Sequence, residues 1–312
     1  MKRENKPDME GSHRWAMVLA GGDGTRLLSL TRLLAGDERP KQFCALVGNE
    51  TLLQQTTRRI ACLVESEHTL VVVTKKHKQF IQAQTPELSS LAIVQPQNRG
   101  TAPAILYSLL SLRKKDPCAR VALFPSDHYF ADDAVFLRSV RSAFEAIEQR
   151  SDLAVLIGIV PDHPEVDYGW IQPAESLSRV LGGSLFRVDR FWEKPTLKLA
   201  ENLFARRCLW NSFVIVGSAD TLLRLTLEAV PGLYKSFECV RPALGTSAEL
   251  HAVTELYSHL SPLDFSEQVL SVHPEDLSVL PVSDSGWVDL GHPVRVLTVL
   301  RGMGGQACVA SG

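Results

Sequence analysis

The sequence predicts an α/β fold: a Rossmann-like, mostly parallel sheet flanked by helices, with a smaller substrate-binding region in its second half. Three observations predict the sheet. Short runs rich in Val, Ile and Leu recur at residues 15–19, 70–74, 91–94, 121–124 and 153–159. Each is separated from the next by a segment able to hold a helix, the alternation of parallel α/β sheets. The first run stops at Ala20-Gly21-Gly22-Asp23-Gly24, so a buried strand feeds a glycine loop.

The helical segments follow from periodicity. Asp132 and Asp133 can cap a helix in which Phe136, Val140, Phe144 and Ile147 recur at spacings of three and four, a core-facing stripe. In residues 101–112, Ile105, Leu109 and Leu112 share a face, and Pro103 lies in the permitted first turn. Beyond Asp162 the rhythm changes: Pro, Gly and aromatic residues interrupt shorter strand candidates at 185–191 and 213–216. This half is expected to fold over the first as the substrate-binding region. Residues 1–13 read as a disordered leader and 14–312 as one domain, with halves 14–160 and 161–312.

Composition bounds the function. A chain of 312 residues with 45% hydrophobic and 22% charged content buries a full core. A net charge of -2 gives no sequence-wide attraction to nucleic acid or to an anionic membrane. A small-molecule substrate fits better. The polar residues 1–11 lack a secretory apolar stretch, and no run reaches membrane-spanning length. Six scattered cysteines without CxxC spacing read as reduced thiols of a cytoplasmic protein.

Three places carry candidate chemistry. Gly21, Gly22 and Gly24 allow backbone N–H groups to approach a phosphate or a base, and Arg26 adds a forked cation. Alone, such a turn is as readily structural, and Leu27 stands where a GxGxxG motif would end. Pro40 fixes the backbone before Lys41, a second cation for a polyphosphate unless the loop is merely solvated. Asp127 follows the 121–124 run, where open α/β sheets place ligands. It is a candidate Mg²⁺ ligand in need of a distant partner, for which Asp289 is the choice.

Taken in order, these motifs are far more specific than any one of them. Leu19-Ala20-Gly21-Gly22-Asp23-Gly24-Thr25-Arg26-Leu27, Pro40-Lys41-Gln42-Phe43 and Asn98-Arg99-Gly100-Thr101-Ala102-Pro103-Ala104 resemble the nucleotide-binding half of mannose-1-phosphate guanylyltransferases. Pro125-Ser126-Asp127-His128, Tyr168-Gly169-Trp170-Ile171, Phe191-Trp192-Glu193-Lys194-Pro195, Trp210-Asn211-Ser212 and Gly286-Trp287-Val288-Asp289-Leu290-Gly291 continue the resemblance. It implies a nucleotide-diphospho-sugar transferase fold and transfer of GMP from GTP to mannose 1-phosphate. By it, Gly21, Gly22, Gly24, Thr25, Gln95, Gly100, Thr101 and Ser126 would hold the nucleotide, and Arg26 and Lys41 would neutralise its phosphates. Asp127 and Asp289 would share Mg²⁺. Tyr168, Gly169, Glu193 and Asn211 would line the sugar site, and Lys194 would clamp the sugar phosphate.

The chain also departs from that pattern. An extra stretch between Arg26 and Pro40 is expected to form a loop over the triphosphate. The family commonly has Pro near Ser29, Thr near Val166, and Gly where this chain has Phe213, which bears on sugar identity. Because the sequence ends soon after Asp289, the C-terminal β-helix or isomerase domain of longer relatives is expected to be absent. A homodimer is left open. Two other functions stay in play: the same transfer with another pair, such as glucose 1-phosphate with UTP or dTTP, and a non-catalytic nucleotide-sugar-binding regulatory subunit. The presence of Arg26, Lys41, Asp127, Lys194 and Asp289 favours an enzyme.

Overall fold

The computed structural model describes residues 13–180 and 183–309. The expected disordered leader, apart from His13, therefore lies outside the described residues. Eleven strands follow in chain order: β1 (Arg14–Leu19), β2 (Thr69–Thr74), β3 (Ala92–Gln95), β4 (Arg120–Pro125), β5 (His128–Tyr129), β6 (Ala154–Ile159), β7 (Trp170–Val180), β8 (Gly183–Trp192), β9 (Leu209–Ser218), β10 (Leu277–Val282) and β11 (Val288–Asp289). Among the described residues, nine form one sheet in the order β3-β2-β1-β4-β9-β6-β10-β8-β7, and β5 and β11 pair separately.

The predicted parallel core is present: β3, β2, β1 and β4 run parallel, as do β6 and β10. Strand β9 runs antiparallel between β4 and β6, which makes the sheet mixed at its centre. The second half of the chain thus supplies central strands as well as covering structure.

Burial on both faces explains why the sequence runs are continuously apolar. In β1, Trp15 and Met17 enter one hydrophobic cluster while Ala16 and Val18 enter the opposite one; Val121 and Leu123 of β4 divide from Ala122 and Phe124 in the same way. The first face is covered by the Thr101–Lys115 and Ala219–Ala229 helices, the second by Leu52–Ile60 and Asp133–Gln149. Asp132 caps the last of these, accepting from the N–H groups of Ala134 at 2.8 Å and Val135 at 3.0 Å. Phe136, Val140, Phe144 and Ile147 are all buried on it, as their spacing predicts.

One element was not anticipated and another differs from expectation. Strand β10 contains Pro281, which argues against a central strand. The Val160 N–H bonds to the Val282 carbonyl on the β6 side, so Pro281 turns towards β8, past the Ser278 and Val279 pairs where that ladder ends. Its missing N–H therefore removes no ladder bond. The extra stretch after Arg26 is a helix, Leu28–Ala35, rather than a loop, ended by Gly36 in the left-handed region with φ 76. That helix and the Pro293–Val309 helix share a small third cluster with Leu27, Leu290, Val296 and Val299.

Candidate active site

A cavity of about 410 Å³ opens at the carboxyl ends of β1 and β4. Its wall brings together Gly21, Gly22, Arg26, Lys41, Gln95, Gly100, Thr101, Ser126, Asp127, Tyr168, Gly169, Glu193, Lys194, Asn211 and Asp289. The two remaining candidates, Gly24 and Thr25, are not in the wall. Gly24 has φ 61, and a Cβ there would stand 3.1 Å from the Lys41 backbone nitrogen, so it serves the path of the chain. Thr25 is exposed in the short helical turn that follows.

Folding of the glycine loop depends on Gln42, whose amide donates to the carbonyls of Ala20 at 3.0 Å and Gly22 at 2.8 Å. Those bonds engage carbonyls on either side of Gly21 and set Gly21 and Gly22 in the cavity wall. Asn98 donates to Asp23 at 3.0 Å, holding the loop from its other flank. Arg26 stands at the exposed rim and makes no ion pair among the described residues.

Lys41 is buried behind Arg26. Its ammonium lies 2.8 Å from Asp127 Oδ2 and 3.4 Å from Asp289 Oδ1, and donates to the Leu290 carbonyl at 3.1 Å. Burial opposes its charge, but Asp127 and Asp289 more than offset this and hold its pKa above the ordinary lysine value. For Asp127, burial likewise opposes ionisation, yet Lys41 keeps its pKa below the usual carboxylate range.

The two aspartates meet because β5 and β11 pair antiparallel, setting Asp289 opposite His128. Glycines on both sides of Asp289 make this possible. At Gly286, φ 56, a Cβ would fall 2.5 Å from that of Ala131; at Gly291 it would fall 2.9 Å from Asp289 Oδ2. His128 accepts at Nδ1 from the Trp287 indole N–H at 3.1 Å, which requires a neutral ring. Burial lowers its pKa in agreement, with Asp289 and Asp127 opposing. It is a fixed neutral wall group.

Elsewhere in the wall, Gln95 is buried and its amide oxygen accepts from Tyr257 at 3.2 Å. Gly100, φ 83, lets the segment carrying Leu263 pack against the start of the Thr101–Lys115 helix. Thr101 Oγ1 donates to Asp264 at 3.1 Å and accepts from the Phe265 N–H at 2.7 Å; Ser126 Oγ donates to the Leu19 carbonyl at 2.7 Å. Both hydroxyls are thus engaged with the protein, and their direct part in the structure is to tie elements together.

Glu193 Oε1 lies 3.1 Å from the Lys194 ammonium. Burial raises the Glu193 pKa, Lys194 opposing. Space at Gly169 is tight: a Cβ would come within 2.9 Å of Glu193 Oε2 and 3.1 Å of Asn211 Cβ. The Tyr168 ring is held by Trp210 and Trp287, with centroids 5.2 and 4.9 Å away.

Several residues at the site carry no early signal. Arg295, in the Pro293–Val309 helix, donates to Glu165 at 2.9 Å and Asp167 at 2.8 Å, with Nη1 3.7 Å from Asp289 Oδ2. Its guanidinium lies over the Tyr168 ring at 4.5 Å. Asp167 and Asp264 line the cavity as well, as does Phe213, which its departure from the family pattern had already singled out. Gln42 was visible as part of the Pro-Lys-Gln-Phe motif; Asp264 and Arg295 stand in segments without glycine or cation patterning.

The chain is similar to known proteins over most of its length. A family model described as nucleotidyl transferase matches residues 15–301. A curated mannose-1-phosphate guanylyltransferase of Escherichia coli (strain K12) is 31% identical over 289 residues, covering 91% of this chain and 59% of that protein. One of Salmonella montevideo is 32% identical over 281 residues, covering 88% of this chain and 57% of that protein. The chain therefore spans less than three fifths of the length of these relatives. A crystal structure described as mannose-1-phosphate geranyltransferase from Thermus thermophilus superposes with a TM-score of 0.77 at 27% identity, covering 90% of this chain and 77% of that one. With its sheet, its glycine loop and its paired aspartates inside the matched span, the chain belongs to the nucleotidyl transferase family.

Proposed function

We propose that this chain transfers GMP from GTP to mannose 1-phosphate, yielding GDP-mannose and pyrophosphate with the aid of Mg²⁺. The observation that carries the proposal is the convergence of Asp127 and Asp289 on the Lys41 ammonium, in a cavity that Glu193, Lys194 and Asn211 also line. The relatives named for mannose 1-phosphate and guanylyl transfer support the substrate pair.

The donor set fits the metal. Magnesium takes one or two carboxylates and completes its shell with phosphate oxygens and water. Two carboxylates close enough to share one cation suit it, and among the described residues no denser ligand cluster competes. When bound, Mg²⁺ supplies charge neutralisation at the triphosphate.

The protein's own part is positioning and electrostatics. Backbone groups of Gly21 and Gly22 and the Gln95 amide hold the nucleotide, while Arg26 at the rim and Lys41 face its phosphates. Lys194 holds the sugar phosphate, and Glu193 and Asn211 bond to sugar hydroxyls. A phosphate oxygen of the sugar 1-phosphate forms a bond to the α-phosphorus, the bridging bond to the β-phosphate breaks, and pyrophosphate leaves. The attacking oxygen is already ionised, so neutral His128 is not needed as a base. In this scheme residues 14–160 chiefly serve the nucleotide and 161–312 the sugar phosphate, Asp289 being the exception. A cytoplasmic setting, where GTP and reduced thiols coexist, belongs to the same proposal.

Phosphorus NMR of purified protein with GTP, mannose 1-phosphate and Mg²⁺ tests it. Coupled diphosphate resonances of GDP-mannose beside a pyrophosphate singlet are expected. Product only from another nucleotide and sugar pair would replace the substrates, and bound but unconverted nucleotide sugar would replace the activity with a regulatory role.

A further inference from the structure

Phe213 adopts φ 57 within β9, the left-handed region that a bulky residue enters only at a cost and glycine enters freely. Such strain persists where the surroundings fix it, and it clusters at ligand sites. Two features fix it here. The Phe213 N–H donates to Asn211 Oδ1 at 3.0 Å, and its ring meets Phe265 edge-on, with centroids 6.5 Å apart. The ladder with β6 also breaks at this point: Ile215 pairs with Leu156 and Asn211 with Gly158, so the β9 step from 211 to 215 is matched by a β6 step only from 156 to 158. Bulges of this kind re-aim side chains beside active sites. Phe213 lines the cavity, on the strand that also carries Asn211.

One consequence is electronic. Because Asn211 Oδ1 accepts from a backbone N–H, the amide has a single orientation, and Nδ2 is the end left for a ligand, its contact with Ser266 Oγ being long at 3.5 Å. The other consequence is steric. An aromatic face offers no hydrogen bond, and its edge-on contact with Phe265 opposes its retreat.

We propose that Phe213 determines sugar selectivity, its ring admitting plain hexose 1-phosphates and excluding those that carry an acetamido group in place of a hydroxyl beside it. The inference rests on the proposed transfer activity, since it names the substrate class of that same site. Removing the ring opens space for the substituent, while Asn211 keeps its backbone donor.

The test compares kcat/KM for mannose 1-phosphate, N-acetylmannosamine 1-phosphate and N-acetylglucosamine 1-phosphate in wild type, Phe213→Gly and Phe213→Asn. Asparagine is included because it tolerates the left-handed region with a small side chain. The acetamido-to-mannose ratio is expected to rise about tenfold or more in both variants for at least one acetamido sugar. An unchanged ratio in folded, active variants overturns the proposal, as does a wild type that already turns over the acetamido sugars as well as mannose 1-phosphate. If both variants unfold by circular dichroism, the ring is a packing element and the proposal fails. A wild type inert with every sugar phosphate would instead remove the transfer activity itself, a separate failure visible before any variant is compared.

Discussion

The Asp127 carboxylate lies 2.8 Å from the Lys41 ammonium, and the same ammonium reaches Asp289 at 3.4 Å. A buried cation thus holds together two acidic groups that approach from separate motifs. Removing it leaves like charges facing each other with little water to screen them. Lys41→Met should lose about 3 kcal/mol of stability, the low end of the range for breaking a buried pair, because both carboxylates keep some solvent contact. Urea unfolding with and without Mg²⁺ checks this, with the loss shrinking when the metal is added. A variant as stable as wild type without Mg²⁺ would show that the pairing is not structural.

Gly100 is the pivot between the start of the Thr101–Lys115 helix and the segment carrying Asp264. A Cβ at this position would stand 2.2 Å from the Leu263 carbonyl oxygen, at a φ of 83. Gly100→Ala should cost at least about 2 kcal/mol and raise the KM for the nucleotide more than that for the sugar phosphate. Denaturant midpoints and steady-state kinetics test the two halves of this expectation. Equal changes in both KM values would mean that the shift spreads through the whole site.

Away from the cavity, Arg14 grips Glu148 with two bonds, Nε to Oε1 at 2.7 Å and Nη2 to Oε2 at 2.8 Å. The bond to Arg14 holds the Glu148 pKa below its ordinary 4.5, burial opposing. A depressed carboxylate stabilises the fold above the unfolded-state pKa and loses that contribution as pH falls through the folded-state value. Glu148→Gln should cost about 0.5 kcal/mol near neutrality, as the pair is partly solvated. The difference from wild type should close in acid, below the ordinary glutamate range. Thermal melts across pH measure it, and a gap that widens on acidification would contradict the sign.

Much of the sheet was legible because its strands are buried on both faces, so Thr69–Thr74 is buried throughout and reads as a continuous apolar run from Leu70 to Val73. Strand direction was not legible, since the hydrophobic pattern of Leu209–Ser218 is the same whichever way it runs. Pro281 hid β10, because whether a missing N–H matters depends on which neighbour it faces. At the site, spacing and motif order singled out Asp127, Asp289 and Lys41, but not that Lys41 bridges the aspartates. That is a matter of side-chain reach across β5 and β11. Asp264 and Arg295 reach the cavity through long-range packing, which no local spacing encodes.

The most direct measurement is pyrophosphate release against Mg²⁺ concentration, with GTP and mannose 1-phosphate, for wild type, Asp127→Asn and Asp289→Asn. Each substitution removes a charge from the shared centre and keeps the side-chain shape. The account predicts Mg²⁺-dependent release by wild type and a loss of about 10²-fold or more in each folded variant, greatest at limiting Mg²⁺. Near-wild-type release by either variant at limiting Mg²⁺ would contradict the assignment of these two aspartates to the metal.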